Sequence, residues 1–336
     1  MKNNVIKELI ASQDWIEGVK ASKPAMAAFH LWHGLMAPGS IKKRIKRTAK
    51  DAGVPYDDVA LMNLSYELSM AYLAGIPSMT DLYAALKDSR FPAEKWGCSC
   101  LGVVEGDRDI RTGPLHGRNL DWPDPGHLLR DNTEVIKEEG ITPYYTVGFP
   151  GQAGVLTGSA DHRFSISMNA VYTDKVGMGQ APVYLMREVL EKAKDFTQAV
   201  DMLSKTRLLV GALFMVVDGT MDAEKPSMVV VERTPDKYLV RSGQTYQSGN
   251  VGVICTNDYF GIKPKDAGTV PTGSELQITS CGRSAALEKE LEETEGLFEE
   301  DTLLRAMKRN DVQLSCTIHT VIMDPGHAVK PKVYNP

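Results

Sequence analysis

Through about the first ninety residues, apolar positions recur with the period of a helix, which predicts helices over Val5 to Ala21, Pro24 to Met36 and Asp57 to Leu73. In the third, Leu61, Leu64, Leu68 and Tyr72 fall three and four apart, Asp57 or Asp58 can cap the first turn behind Pro55, and Gly75 and Pro77 close the segment. Such a stripe requires a core to cover it. Between Gly75 and Gly97 the chain carries Pro77, Pro92 and a short helical pattern over residues 81–88, and reads as an exposed connector.

At Cys98 the period shortens. The runs CLGVV, GPLHGRNLDW, YYTVGFPG, AGVLTG and FSISMNA are short, rich in β-branched residues and divided by Gly and Asp, as strands are. Pro182 to Lys205 returns to helical spacing, with Met186, Val189, Leu190 and Ala193, then Phe196, Val200 and Leu203. Strands are predicted again at Leu213 to Val217, Ser227 to Glu232, Tyr238 to Arg241 and Val251 to Thr256. Helices near Ser284 to Thr294 and Asp301 to Lys308 and a last strand from Cys316 to Met323 complete the pattern. With no internal repeat and no low-complexity linker, this order fits one layered α+β domain behind a helical segment.

Composition narrows the function classes. A chain of 336 residues, 43% hydrophobic and 24% charged, can bury a large core. Its formal net charge of -5 supplies no field for a nucleic-acid backbone, so nucleic acid is not an expected partner. The longest strongly apolar run, Leu208 to Val217, is about half the length of a membrane-spanning helix. The charged N-terminus lacks the pattern of a secretory signal, so a cytoplasmic protein is expected. Five cysteines, at positions 98, 100, 255, 281 and 316, are too few and too odd in number for a disulfide framework and read as thiols.

The chain has no nucleophile elbow, phosphate-binding loop, zincin helix or complete dinucleotide fingerprint. His30 and His33 sit three apart on a predicted helix and could share a metal or simply face solvent and core. Lys42, Lys43, Arg44, Lys46 and Arg47 follow an apolar segment, and together they could rest on an anionic lipid surface or form a solvated helix face. Cys98 and Cys100 face the same side of a strand. With His116 and Cys255 they could bind zinc, Cys98 could be a nucleophile, or both could be packing residues.

GCSCLGVV, HGRNLDW and CTNDYF, with LTG at residues 156–158, FSISMN and GRSAALEKEL from Gly282, resemble the acid ceramidase and N-acylethanolamine acid amidase branch of the N-terminal nucleophile hydrolases, relatives of the choloylglycine hydrolases. The resemblance reaches upstream to MNLSYEL at Met62 and covers about residues 55 to 325. It implies a four-layer αββα sandwich with an N-terminal helical segment, cut by its own chemistry between Gly97 and Cys98 into pieces 1–97 and 98–336 that remain associated. Neither cofactor nor metal is implied. Cys98 would be the nucleophile, and its liberated α-amino group, with a reference pKa of about 7.7 to 8.0, the base. By the same resemblance Arg118 would favour the thiolate, Asp121 would receive the α-amine, Asn257 would donate to the oxyanion, and Arg283 would stand near the pocket.

The implied reaction is hydrolysis of the linear amide of an N-acylated small molecule. A fatty acyl group is expected, lined or delivered by Phe29, Leu31, Trp32, Leu35 and Met36. Conjugated bile acids, penicillin V or acylated amino acids would use the same catalytic residues, and a non-catalytic lipid-binding relative is the rival from another class. The chain departs from the family in three places. Ser69 to Gly97 intervene before the nucleophile as an insertion, Asn169 is followed by Ala170 where the family has an acidic residue, and Ser99-Cys100 replaces Thr-Ser.

Overall fold

The computed structural model describes residues 2–74, 97–104, 113–220, 228–268, 275–296, 298–327 and 329–336. The expected connector and its short helix at 81–88 lie outside the described residues, as does most of the 69–97 insertion. Residue 69 continues a helix and residue 97 opens a strand.

Six helices come first: α1 Lys2–Ala11, α2 Trp15–Ala21, α3 Lys23–Met36, α4 Gly39–Ala52, α5 Tyr56–Met62 and α6 Ser65–Leu73. The single helix predicted over 5–21 is two, interrupted near Gln13 so that Trp15, Ile16 and Val19 of α2 can be buried. Ser22 caps α3 by accepting from the Ala25 N–H at 3.3 Å. The basic cluster belongs to α4, whose Ile41, Ile45, Ala49 and Ala52 form its buried stripe. The helix predicted over 57–73 is divided at Asn63, which donates to Val59 O and Gly151 O and accepts from the backbone N–H groups of Ala153 and Gly154. An asparagine that pins a loop from another part of the chain cannot also continue a helix face.

Two antiparallel sheets follow. In the first, β1 Gly97–Val104 lies between β2 Leu115–Asp121 and β11 Val251–Cys255, with β10 Gln244–Thr245 beyond β11 and β12 Thr317–Met323 and β13 Lys332–Tyr334 beyond β2. The second runs in order from β3 Glu134–Glu138 through β4 Tyr144–Gly148, β5 Thr157–Ala160, β6 Phe164–Asn169, β7 Ala212–Asp218 and β8 Met228–Arg233 to β9 Tyr238–Ser242. The sheets face one another through a core that sets Cys100, Val104, Val253 and Cys255 against Leu213, Met215, Val217 and Val230. Helices α7 Pro182–Lys192 and α8 Phe196–Lys205 cover the outside of the second sheet, and α9 Glu275–Glu293 and α10 Glu300–Met307 that of the first. The result is the expected αββα stack. At Gly117 a Cβ would come within 2.9 Å of Leu303 and Met307, so only glycine lets α10 lie this close to β2.

The N-terminal helices do not form a core of their own. Trp15, Ile16, Val19, Leu61 and Leu64 share one apolar cluster with Tyr184, Leu185 and Val189 of α7 and with the second sheet. Trp32 Nε1 donates to Gly179 O at 2.9 Å. Among the described residues no helix is long and apolar enough to cross a membrane.

Candidate active site

β1 opens at Gly97, so Cys98 stands at the head of a strand that has neighbours on both sides. Cys98 pairs with Leu120 and Cys100 with Arg118 across β2. Alternation then directs Cys98, Arg118 and Leu120 to the same, inner face of the sheet. Arg118 is fully buried and donates from Nη2 to Cys98 Sγ at 3.4 Å and to Met168 O at 3.0 Å. Its Nε and Nη1 have no partner among the described residues. Burial raises the Cys98 thiol pKa, the Arg118 charge pulls it down, and the Asp121 charge pushes it up, for a net rise. Arg118 thus acts in the expected direction, but in the continuous chain burial outweighs it.

The backbone around Cys98 is held as closely as its sulfur. The Cys98 N–H donates to Asn257 Oδ1 at 3.0 Å. Arg283, also buried, donates to the same oxygen at 2.7 Å, to Cys98 O at 2.6 Å and to Ser99 Oγ at 2.8 Å. Asn257 follows the end of β11, where Ser280 of α9 accepts its backbone N–H at 2.9 Å. Its Nδ2, the donor expected for an oxyanion, is given to Ala170 O at 2.8 Å. Asp121 closes β2 opposite Gly97. Its Oδ1 accepts from Thr317 Oγ1 at 2.6 Å and its Oδ2 has no partner among the described residues. Burial raises the Asp121 pKa against the lowering effects of Arg283, the Thr317 hydrogen bond and Arg118.

All five expected catalytic residues and the expected cut site therefore converge. Asn169 joins them, although its sequence context assigns it no role. Its Nδ2 donates to Cys255 O and Thr256 O, both at 2.9 Å, and to Cys98 O at 3.3 Å, tying β1 and β11 to β6. The one signal that marks it is its place at the end of the FSISMN run. Thr317 and His319 also lie beside the site without a motif to mark them.

Beside Cys98 is a cavity of about 100 Å³. Leu120, Trp122, Leu129, Phe149 and Leu156 line it and belong to the same apolar cluster as Cys98. Its other wall comes from the N-terminal helices, through Leu9, Gln13, Met62, Asn63, Ser65 and Tyr66. The residues expected from sequence to line it do not. Phe29 and Trp32 are buried in the core below α3, Met36 packs against it, and Leu31 and Leu35 are 63% and 66% exposed. The α3 stripe is real, but it faces α7 and solvent rather than the cysteine.

The thiols and histidines that could have ligated a metal are engaged in hydrogen bonds, ion pairs and packing instead. Cys100 Sγ contacts Ser167 Oγ at 3.1 Å and Asn169 Oδ1 at 3.0 Å, and the His116 ring nitrogens meet Ser165 and Ser167. Among the described residues no three His, Cys, Asp or Glu side chains gather as metal ligands. His30 pairs with Asp57 at 3.1 Å, whereas His33 is buried beside Phe29, Tyr56 and Tyr184, with its pKa lowered by burial to about 4. In the basic cluster, Arg44 turns to Glu138 and Lys42 donates to Gly34 O at 2.7 Å, leaving Lys43, Lys46 and Arg47 exposed.

A thiol at the head of an inner strand, in a four-layer stack of this order, places the chain among the N-terminal nucleophile hydrolases, a class of enzymes acting on amide bonds. A solved Caenorhabditis elegans ortholog of N-acylethanolamine-hydrolyzing acid amidase superposes with a TM-score of 0.53 and 22% identity, covering 70% of this chain and all of that one. Within that class the chain belongs to the acyl-coenzyme A:6-aminopenicillanic acid acyl-transferase family, whose profile matches residues 109–329 and so begins just downstream of Cys98. The N-acylethanolamine-hydrolyzing acid amidase of Caenorhabditis elegans is 25% identical over 301 residues, 85% of this chain and 73% of the relative. The Rattus norvegicus amidase of the same name is 32% identical over 138 residues, 37% of this chain and 36% of the relative.

Proposed function

We propose that this chain is a cysteine amidohydrolase that divides itself before Cys98 and then hydrolyses the linear amide of N-acyl compounds with an apolar acyl group. The observation that carries the reading is the position of Cys98, with Arg118 on its sulfur and an apolar cavity beside it. In maturation the Cys98 sulfur adds to the Gly97 carbonyl, the C–N bond breaks with its proton going to the departing nitrogen, and water hydrolyses the thioester. Gly97 leaves as a carboxylate and Cys98 gains an α-amine. In turnover that amine takes the thiol proton, sulfur adds to the substrate amide, the protonated amine leaves, and water releases the acid. Asp121 accepts a hydrogen bond from the α-amine and fixes it. Asn257 Nδ2 is assigned to the oxyanion, a contribution worth about 3 to 4 kcal/mol from a dry, preorganised donor. Arg283, on Cys98 O and Asn257 Oδ1, holds the backbone in register.

The names of the relatives and the leucine-lined cavity favour a fatty acyl group, as in N-acylethanolamines or ceramides, over bile-acid, penicillin V or acyl-amino-acid amides. Access from a lipid surface fits the exposed Leu31 and Leu35 of α3 beside Lys43, Lys46 and Arg47 of α4. The decisive experiment is mass analysis of the purified protein with and without an N-acyl amide. Two pieces divided before Cys98, and an acyl increment on that cysteine, are expected. Cys98→Ala should remain one chain and release no acid from a panel of N-acyl amides, and turnover by that variant would refute the assignment.

A further inference from the structure

β12 pairs with β2 through a break in register: Thr317 lies opposite Asp121, yet His319 already lies opposite Leu120. Ile318 is the extra residue of a β-bulge, and bulges re-aim side chains beside active sites. This one puts Ile318 into the apolar cluster of Cys98 and Thr317 against Asp121. The bulge is braced from outside. Arg130 Nη2 donates to Thr317 O at 2.9 Å, Thr133 Oγ1 meets His319 Nδ1 at 3.2 Å, and the Trp122 N–H donates to Cys316 O at 3.1 Å. The Leu314 N–H donates to Thr317 Oγ1 at 3.0 Å. A hydroxyl has one proton, and accepting from Leu314 leaves that proton for Asp121 Oδ1 at 2.6 Å.

We propose that Thr317 is a positioning residue: its hydroxyl, oriented by the Leu314 N–H, locks one oxygen of Asp121 so that the unpaired Oδ2 is held for the nitrogen of Cys98. This rests on the role given above to Asp121. Thr317 touches no reacting atom. It acts by fixing the carboxylate's rotation and by favouring its ionised form, since a donor to a carboxylate stabilises the charge.

The test compares Thr317→Val, nearly isosteric but without the hydroxyl, with Thr317→Ser, which retains it, and with Asp121→Asn in parallel. Thr317→Val is expected to divide more slowly before Cys98 and to lose about tenfold in kcat with KM little changed. Its acidic limb of kcat/KM should move up by about one pH unit, because Asp121 protonates more readily without its donor. Thr317→Ser is expected to recover the division, the rate and the limb. A purely structural threonine would lower activity at every pH alike. A Thr317→Val enzyme with the wild-type rate and pH profile, or a Thr317→Ser enzyme as impaired as the valine variant, overturns the proposal. If Asp121→Asn itself remains active, the reading of Asp121 has failed. If Asp121→Asn is inactive while Thr317→Val is unchanged, only the role of Thr317 has.

Discussion

At Cys98 two forces of opposite sign meet, since burial holds the proton on the sulfur while Arg118 draws it off. Removing the guanidinium leaves burial nearly unopposed. Arg118→Met should therefore move the midpoint of iodoacetamide labelling at Cys98 upward by at least about one pH unit, and an unshifted midpoint would show the charge to be idle. Gly97 is constrained from the other side of the bond. A Cβ there would stand 3.0 Å from Arg283 Nη2 and 3.2 Å from Asn257 Oδ1, and Arg283 is too firmly held to give way. Gly97→Ala is expected to slow division of the chain about tenfold, as read from the ratio of whole to divided protein over time. Cys98, Arg118, Asp121, Asn257 and Arg283 are legible in the sequence because each sits inside a short motif. Thr317 is not, because its partner is set by a bulge, and a one-residue change of register leaves no trace in an alternating pattern.

Elements are legible where one face is buried and the other wet. The stripes of α7 and α8 and the strands of the two sheets' interiors follow the spacing of the sequence. Boundaries fail where a side chain serves a distant segment, as Asn63 does in dividing α5 from α6. α6 carries a further consequence. Glu67 is buried against α7, accepts only weakly from the Val183 N–H at 3.4 Å, and leaves Oε2 unpartnered. Burial raises its pKa from 4.5 to about 8. Because the unfolded chain gives up this proton near pH 4.5 and the folded chain keeps it until about 8, stability contributed by the neutral carboxyl declines as pH rises across that interval. Glu67→Gln should flatten this slope, so that its thermal midpoint falls less than that of the parent between pH 5 and pH 8, and identical slopes would refute the shift.

Across the whole molecule, the segment before Cys98 is not a detachable propeptide. Its Trp15, Ile16, Val19, Leu61 and Leu64 lie in the same apolar cluster as α7. After division the two pieces are expected to elute together on size exclusion and to part only in denaturant, and separation under native conditions would contradict the shared core. The four-layer class is legible from the order of strand and helix runs. The location of the cavity is not, because it depends on which face of α1, α5 and α6 meets the sheets, and a helical stripe reports that a face is buried without naming what buries it. Leu9, Met62 and Tyr66 from one side, and Leu120 and Phe149 from the other, enclose it. Such a chamber, once the chain is divided, is assembled from two polypeptides, and its shape becomes a combinatorial property. Pairing the catalytic piece with an N-terminal piece from a different relative would re-tailor what it accommodates while the reactive machinery stays untouched, a route by which one chemistry can diversify its diet without risking its blade.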